Sequence, residues 1–327
     1  MNRVNKNILI TGGAGYIGSH FVKYLSDLSD CKYKIFVVDN LENGHIKNIP
    51  KTISFINSDI RDYEPLLQIL LEIRPKCIIH FSGYAYVGES SQDPLKYFEN
   101  NISAGINLLK SIGVIKNCNI VFSSSCSVYG AHKIDSITEE LVPAPENPYA
   151  ETKLVFEKLL HWMDRAGLLR YISLRYFNAA GAIFPLKEEH NPETHLIPNA
   201  SKAALDPKII LDVYGNDYAT PDGTCIRDFI HVADLAKAHV LAMQYLEEGG
   251  ASDIFNLGTG VGTSVKEVIG LIEKELSSLI KVRYMPRRVG DVPCLVADSG
   301  KAARILGWKS ENAIHNIIKD AIKSMET

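Results

Sequence analysis

The stretch Asn7-Ile8-Leu9-Ile10-Thr11-Gly12-Gly13-Ala14-Gly15-Tyr16-Ile17-Gly18 decides the fold. Its first five residues form a short apolar run rich in β-branched side chains, the pattern of a buried strand. Ile17, Phe21, Leu25 and Leu28 then recur at helical spacing. Gly13, Gly15 and Gly18 are spaced between strand and helix, and Thr11-Gly12 precedes them. That context meets three needs: a tight turn, close backbone approach to a pyrophosphate, and a helix N-terminus facing the phosphates. Lys34–Val38 reads as a second strand ending at Asp39, 21 positions after Gly18. An acid at about that distance meets an adenine ribose 2′-hydroxyl. It repels a 2′-phosphate, and no arginine follows directly, so NAD is favoured over NADP.

Working outward, strands alternate with helices. Ser54–Ile60 reads as a third strand with Asp59 and Ile60 at its end, and Cys77–Phe81 as a fourth, followed by Ser82-Gly83. Pro94 opens a long helix through about Ile115. Asn119–Ser123 is a fifth strand running into Ser124 and Ser125, Tyr149–Ala166 a helix, and Tyr171–Phe177 a sixth strand. This order predicts the α/β class, with a Rossmann-type doubly wound parallel sheet collecting ligands at the carboxyl ends of its strands. Prolines at 185, 192, 198 and 207 then break the pattern across Gly181–Ile210, which reads as irregular. Ile230–Tyr245 resumes helical periodicity, and Asp253–Leu257 reads as a strand, with Gly258 and Gly260 in a turn after it. The expected organisation is an NAD-binding domain over 1–178, rejoined by about 229–260, and a smaller C-terminal substrate-binding lobe over 179–327.

Tyr149-Ala150-Glu151-Thr152-Lys153 carries the chemistry. The i, i+4 spacing puts phenol and ammonium on one helix face. A phenol of pKa roughly 10 is a poor base near neutral pH, but a nearby cation favours the phenolate. Such a tyrosine can exchange a proton with a substrate hydroxyl while a nicotinamide exchanges a hydride. Tyr-x-x-x-Lys arises often by chance, and it gains its meaning from the dinucleotide signature in the same chain.

Composition narrows the class. A net charge of −3 favours neither nucleic acid nor an anionic membrane surface. No apolar run approaches the ~20 residues that span a bilayer, and the first is too short for the core of a signal peptide. The expected setting is cytoplasmic. The six cysteines are scattered without a Cys-x-x-Cys pair and read as reduced thiols. The histidines lack metal spacing. His190 and His195 sit among Pro and Glu in an expected loop, and no metal is read from them.

The blocks Thr11–His20, Asp39-Asn40, His80–Ser90, Ser123–Gly130, Tyr149/Lys153, Leu174–Asn178, Tyr214–Asp217, Arg227–His231 and Arg287–Asp291 together resemble the UDP-glucose 4-epimerase family, within the extended short-chain dehydrogenase/reductases. The resemblance runs nearly end to end. It implies a tightly held NAD, returned unchanged, and transient oxidation of a UDP-hexose to a 4-keto sugar that is re-reduced on its other face. Tyr149 would take the 4-hydroxyl proton, Ser125 would hydrogen-bond the 4-oxygen, and Lys153 would hold the nicotinamide ribose and lower the tyrosine pKa. NAD contacts would fall on Gly12, Gly15, Tyr16, Ile17 and Gly18, and on Asp39, Asn40, Leu41, Glu42, Asn43 and Gly44. Others would be Asp59, Ile60, Phe81, Ser82, Gly83, Tyr84, Ala85, Asn100 and Phe177, beside the catalytic three. The nucleotide sugar would meet Ser125, Tyr149, Asn178, His195, Leu196, Asp212, Val213, Tyr214, Arg227, Arg288, Asp291 and Leu295. Guanidinium forks such as those of Arg227 and Arg288 suit a diphosphate. Family members are often homodimers.

Two departures stand out. Ala85 replaces a lysine seen in many bacterial members, which touches cofactor contact but not chemistry. Leu295 replaces a tyrosine that narrows the sugar pocket in some, leaving room beside C2 for N-acetylated sugars. Rival readings share the fold. Dehydratases and decarboxylases commonly carry acids where this chain has Cys126 and Ser127. Non-catalytic NAD sensors tend to lose the tyrosine or lysine, and a net dehydrogenase would release NADH with each turnover.

Overall fold

The computed structural model, which describes residues 6–29, 31–132, 136–288 and 292–326, begins with the expected strand and glycine turn. β1 spans Lys6–Thr11 and passes through Gly12–Gly15 into the helix Tyr16–Asp27. Phe21 and Leu25 are buried on that helix, whereas Leu28 follows it as the C-cap and is exposed. Next come β2 (Tyr33–Asp39), β3 (Ser54–Asn57), β4 (Cys77–His80), β5 (Asn119–Ser125) and β6 (Tyr171–Tyr176). β7 (Asn178–Ala180), β8 (Leu211–Tyr214), β9 (Ile226–His231), β10 (Asp253–Leu257), β11 (Gly262–Ser264), β12 (Val282–Met285) and β13 (Cys294–Leu295) complete the strands.

Seven strands form one sheet in the order β10-β6-β5-β4-β1-β2-β3. β1 is parallel to β2 and β4, β2 to β3, and β4 to β5. The chain builds outward from β1 to β3, then returns to lay β4 on the other side of β1. That reversal is a topological switch point, where the loops leaving neighbouring strands part and open a ligand crevice. Thr11 stands there opposite His80, and its carbonyl accepts from Phe81 N (2.9 Å) and Ser82 N (3.2 Å). Apolar side chains close the sheet against its helices, including Leu9, Leu66, Leu70, Ile78, Leu108, Ile120 and Phe156.

The chain divides into two compact units. The first comprises Met1–Val128, Pro143–Arg175 and Ala236–Phe255, the second Tyr129–Val142, Tyr176–Leu235 and Asn256–Thr327. Residues 129–142, which the expected division kept within 1–178, cluster with the second unit, and the return to the first unit expected over about 229–260 falls at Ala236–Phe255. In that unit β9 lies between β11 and β13 and also pairs with β7, while β12 pairs with β8. Helices Leu196–Leu205, Val265–Leu276 and Ile314–Met325 bury Ile197, Ala200, Val268, Ile272, Ile317 and Ile318. Ser264 and Glu267 form a capping box that starts the second of these helices.

Other expectations need correction. β3 stops at Asn57, so Asp59 and Ile60 lie in the turn after it. The helix expected from Pro94 to Ile115 is interrupted by a π turn over Glu99–Ser103. Ile230 and His231 finish β9, and the helix runs Val232–Glu247. The supposedly irregular 181–210 contains the helix Leu196–Leu205. Among the described residues no helix is long and apolar enough to cross a membrane.

Candidate active site

In the first unit the glycine turn is shaped by contacts that exclude side chains. Gly12 has φ +70°, and a Cβ on it would lie 2.5 Å from Ser82 N. A Cβ on Gly18 would lie 2.2 Å from Gly12 O. Gly15 differs: its nearest neighbour would be Gly12 O at an ordinary 3.5 Å. Packing within the protein therefore does not demand glycine at 15. Close approach of the protein backbone to a bound pyrophosphate would. That end has no side-chain cap and no acidic residue in its first turn, so its N–H groups can serve an anion. The residues present thus fit a bound dinucleotide pyrophosphate.

Asp39 secures this turn from the end of β2. It is 8% exposed, its Oδ2 accepts from Ala14 N (2.9 Å) and its Oδ1 from Leu41 N (2.8 Å). Burial raises its pKa against those two hydrogen bonds. A polar chain continues outward. Asn40 Nδ2 donates to Asp59 Oδ2 (2.8 Å), Arg61 Nη2 reaches Asp59 (2.6 Å) and Glu42 (3.0 Å), and the Tyr84 hydroxyl donates to Glu42. Burial works to raise the Asp59 pKa, but hydrogen bonds from Arg61 and Asn40 outweigh it. A cavity of about 210 Å³ beside this chain is lined by Arg61, Tyr84, Lys96 and Asn100 among others. Asn43, Gly83 and Ala85 are exposed, and Lys96 Nζ lies 4.7 Å from the centre of the Tyr84 ring.

The catalytic three come together at the end of β5. Asn147 caps the helix Pro148–Arg165 by accepting from Ala150 N (2.9 Å), with Pro148 at its first position. This sets Tyr149 in the first turn, where the helix dipole favours negative charge. Tyr149 and Ser125 share a side-chain hydrogen bond. Ser125 Oγ also donates to Ser127 Oγ (3.0 Å) and accepts from Ser127 N (3.2 Å). Lys153 Nζ lies 5.8 Å from the Tyr149 ring centre and donates to Ser123 O (2.8 Å). Burial pushes the Lys153 pKa down to about 8, against an upward pull from Glu157. Burial pushes Tyr149 up to about 12, and Ser125 lowers it only partly. The expected depression of the phenol by Lys153 is therefore not found in the protein alone.

Ser124 is engaged elsewhere. Its Oγ donates to Glu157 Oε1 (2.6 Å), and Glu157 is clamped by Arg175 Nε (3.0 Å) and Nη2 (2.6 Å), both side chains being buried. Only Ser125 of the pair is turned to Tyr149. Sequence reading missed Glu157, although it stands four residues beyond Lys153 on the same helix. It also missed Asn101 in the π turn, which bonds both backbone groups of Tyr84 (2.8 and 3.1 Å) and Thr152 Oγ1 (3.0 Å). A polar pair opening an apolar helix, Asn100-Asn101-Ile102, was the available signal. His80 is a core residue, neutral at a pKa near 3 through burial and then Lys153, and bonded to Thr11 Oγ1 (2.7 Å).

Among the described residues, the second unit holds Phe177, buried, and the expected nucleotide-sugar residues other than Ser125 and Tyr149. Arg227 on β9 is in register with Leu295 on β13. Its Nη1 donates to Ile226 O (3.0 Å) and Val292 O (2.7 Å). The Arg288 guanidinium stacks 3.9 Å above the Tyr214 ring. Asp212 is already forked by Arg283 (2.6 and 2.9 Å), and the Val213 side chain is core. The buried Val213 side chain is therefore closed to a ligand. Asn178 begins β7, and Leu196 begins a helix preceded by His195, which makes no side-chain cap and whose ring contacts Glu188 and Glu193. Asp291 lies outside the described residues.

Fold and site together define a dinucleotide-binding α/β protein equipped to move a proton beside a hydride. Over 317 residues the chain is 43% identical to UDP-glucose 4-epimerase from Lacticaseibacillus casei, with 96% of this chain and 95% of that one covered. It matches the NAD dependent epimerase/dehydratase family over residues 8–258 and belongs to that family. The crystal structure of UDP-glucose 4-epimerase from Brucella ovis in complex with NAD superimposes with a TM-score of 0.92 at 44% identity, covering 97% of this chain and 98% of that one. The UDP-Glc/GlcNAc 4-epimerase of Campylobacter jejuni gives a TM-score of 0.85 at 36% identity, covering 98% and 99%.

Proposed function

We propose that this chain is an NAD-dependent epimerase acting at C4 of a UDP-hexose. The observation that carries the reading is the hydrogen-bonded Ser125–Tyr149 pair with Lys153 one helical turn on, in the unit that also builds the glycine turn. Bound NAD would supply the hydride acceptor and a positive ring beside the phenol. Tyr149 takes the 4-hydroxyl proton as C4 is oxidised and returns it as the 4-keto sugar is reduced. Ser125 holds the 4-oxygen. Lys153 binds the nicotinamide ribose, and its charge, added to the cofactor's, lowers the phenol from its cofactor-free value. Asp39 meets the adenine ribose. Arg227 and Arg288 bind the diphosphate, which retains the nucleotide while the keto sugar turns its other face. The first unit thus serves NAD and the second the nucleotide sugar.

Dehydration needs an added acid–base pair. Cys126 is buried, and the Ser127 hydroxyl is bonded to Ser125, so neither position supplies one. Leu295 would admit N-acetylated sugars as well. The six free cysteines suit a cytoplasmic protein, and the exposed Leu95 and Trp162 of the first unit suit a homodimer. The test is NMR product analysis with UDP-galactose and UDP-N-acetylglucosamine in parallel, using substrate deuterated at C4. UDP-glucose formed with the label retained is expected. Label lost to solvent, or a dehydrated product, would overturn the epimerase reading. No turnover of the N-acetyl sugar would remove only the role of Leu295.

A further inference from the structure

Four side chains of the second unit converge where the sequence offers no metal spacing. Glu188, His190, Glu193 and His195 each present one ligand atom, and all four atoms lie within 4.8 Å of one another. His195 Nδ1 is 2.9 Å from Glu188 Oε1 and 2.9 Å from Glu193 Oε1. His190 Nδ1 is 3.0 Å from the same Glu188 oxygen and 3.9 Å from Glu193 Oε2. The two carboxylate side chains are only 9% and 7% exposed. A tetrahedral ion with bonds of about 2.0–2.2 Å has ligand–ligand edges of about 3.3–3.6 Å, and the observed spacings bracket that range.

We propose that these residues bind one divalent transition-metal ion, with zinc the best match to two imidazole nitrogens and two carboxylate oxygens. Calcium and magnesium would demand more oxygens than the cluster offers. The rival account is a plain ion-pair network. It puts two imidazole rings 4.8 Å apart, centre to centre, with both Nδ1 atoms on one Glu188 oxygen. A single dication lets that oxygen and both Nδ1 atoms converge on one centre as ligands. Glu193 has a further use, since its Oε1 accepts from His195 N (2.8 Å) at the start of a helix, but capping accounts for neither Glu188 nor the paired rings. The site is structural in kind, with four protein ligands. It ties residues 188–195 to the helix Leu196–Leu205, whose Ile197 and Ala200 lie in the core. This inference gives His195, one of the expected nucleotide-sugar residues, to the ion instead, and its metal-binding readouts do not depend on turnover by the epimerase.

The test uses the full chain, stripped with chelator and then titrated. One equivalent of Zn²⁺ is expected to bind saturably and raise the melting temperature. Co²⁺ is expected to give d–d bands without thiolate charge transfer, which separates this cluster from the six cysteines. His190→Ala and the shape-conserving Glu188→Gln are each expected to weaken Zn²⁺ at least about tenfold, since even losing an outer-shell partner commonly costs that much. Absence of saturable Zn²⁺ binding, a thiolate band with Co²⁺, or unchanged affinity in Glu188→Gln would overturn the proposal.

Discussion

The two units hold their functional polar groups in opposite ways. In the first, Asp39, Asn101, Ser125, Lys153 and the Ser124–Glu157–Arg175 cluster are all buried, and each has a protein partner fixed by a strand end or a helix turn. In the second, the arginines of the β12 strand and the residues after it ride near the surface. The Arg283 side chain is 60% exposed beside Asp212, Arg287 is 46% exposed beside Asp217, and exposed Arg288 lies on Tyr214. Buried partners in low dielectric resist displacement, and leaving one unpaired is costly. Exposed pairs are worth little and exchange readily. Proton and hydride transfer need fixed atoms, whereas recognition of a diphosphate needs cations free to re-pair. On the proposed reading the chain divides the two tasks accordingly.

The sharpest way to break that contrast is at the phenol. Tyr149→Phe removes the proton carrier but leaves the glycine turn and the second unit intact. Turnover of UDP-galactose should fall ~10²–10⁴-fold, the range of a general acid–base group. Bound NAD and the KM should stay close to wild type. Wild-type turnover, in a coupled assay with NAD content measured on the same sample, would move the chemistry away from Tyr149.

Lys153 tests burial itself. Its pKa falls from an ordinary 10.5 to about 8, chiefly through burial. Between those values the unfolded chain holds the proton and the native chain does not, so raising the pH stabilises the native state. Below pH 8 the full penalty remains, roughly 3 kcal/mol. Lys153→Met lacks this dependence. In chemical denaturation of cofactor-free protein, wild type should therefore gain on Lys153→Met as pH rises from 8 to 10. A constant difference across that window would mean the ammonium is effectively solvated, and the first unit would lose its claim to buried charge.

What was legible in the sequence follows the same division. The glycine turn, Asp39 and Tyr149/Lys153 are local patterns, because strand, turn and one helix face each lie within a few residues. Asn101, Glu157 and Arg175 act through partners 17–51 positions away, and no local period announces them. The helix Leu196–Leu205 was hidden by Pro198. That proline sits in the first turn, where a missing N–H costs nothing, so it does not break the helix. Residues 129–142 were assigned with their sequence neighbours. Their long-range bonds, such as Asn256 N to Glu139 (2.7 Å) and Asn256 Nδ2 to Ile137 O (2.9 Å), tie them to the second unit instead.

Two glycines separate packing from ligand approach. Gly18→Ala drives a Cβ to 2.2 Å from Gly12 O and 2.8 Å from Gly13 Cα. The turn must shift, at ~1–3 kcal/mol for an overpacked site, and both stability and NAD content should drop. Gly15→Ala meets nothing closer than 3.5 Å, and Gly15 already has the extended φ of −73°. Its stability should fall by less than about 1 kcal/mol, the modest loss of a glycine N-cap, while NAD content falls clearly. Thermal denaturation of the cofactor-free proteins, with cofactor occupancy after loading, distinguishes the two. If Gly15→Ala keeps wild-type NAD, the helix N-terminus is not the phosphate site.

The smallest effect belongs to the exposed side. Arg288→Lys keeps the positive charge but gives up the planar fork and its stacking on Tyr214. At an exposed site such stacking is worth about 0.5–1 kcal/mol, so KM for the UDP-sugar should rise only about two- to fivefold, with kcat unchanged. The sign of the salt response sharpens the point. A surface cation reading a diphosphate weakens as ionic strength rises, so the KM of both proteins should climb with salt while the ratio between them holds. A large loss of kcat in Arg288→Lys would mean that this residue positions the reacting sugar, and the division between fixed chemistry and adaptable recognition would fail at that residue.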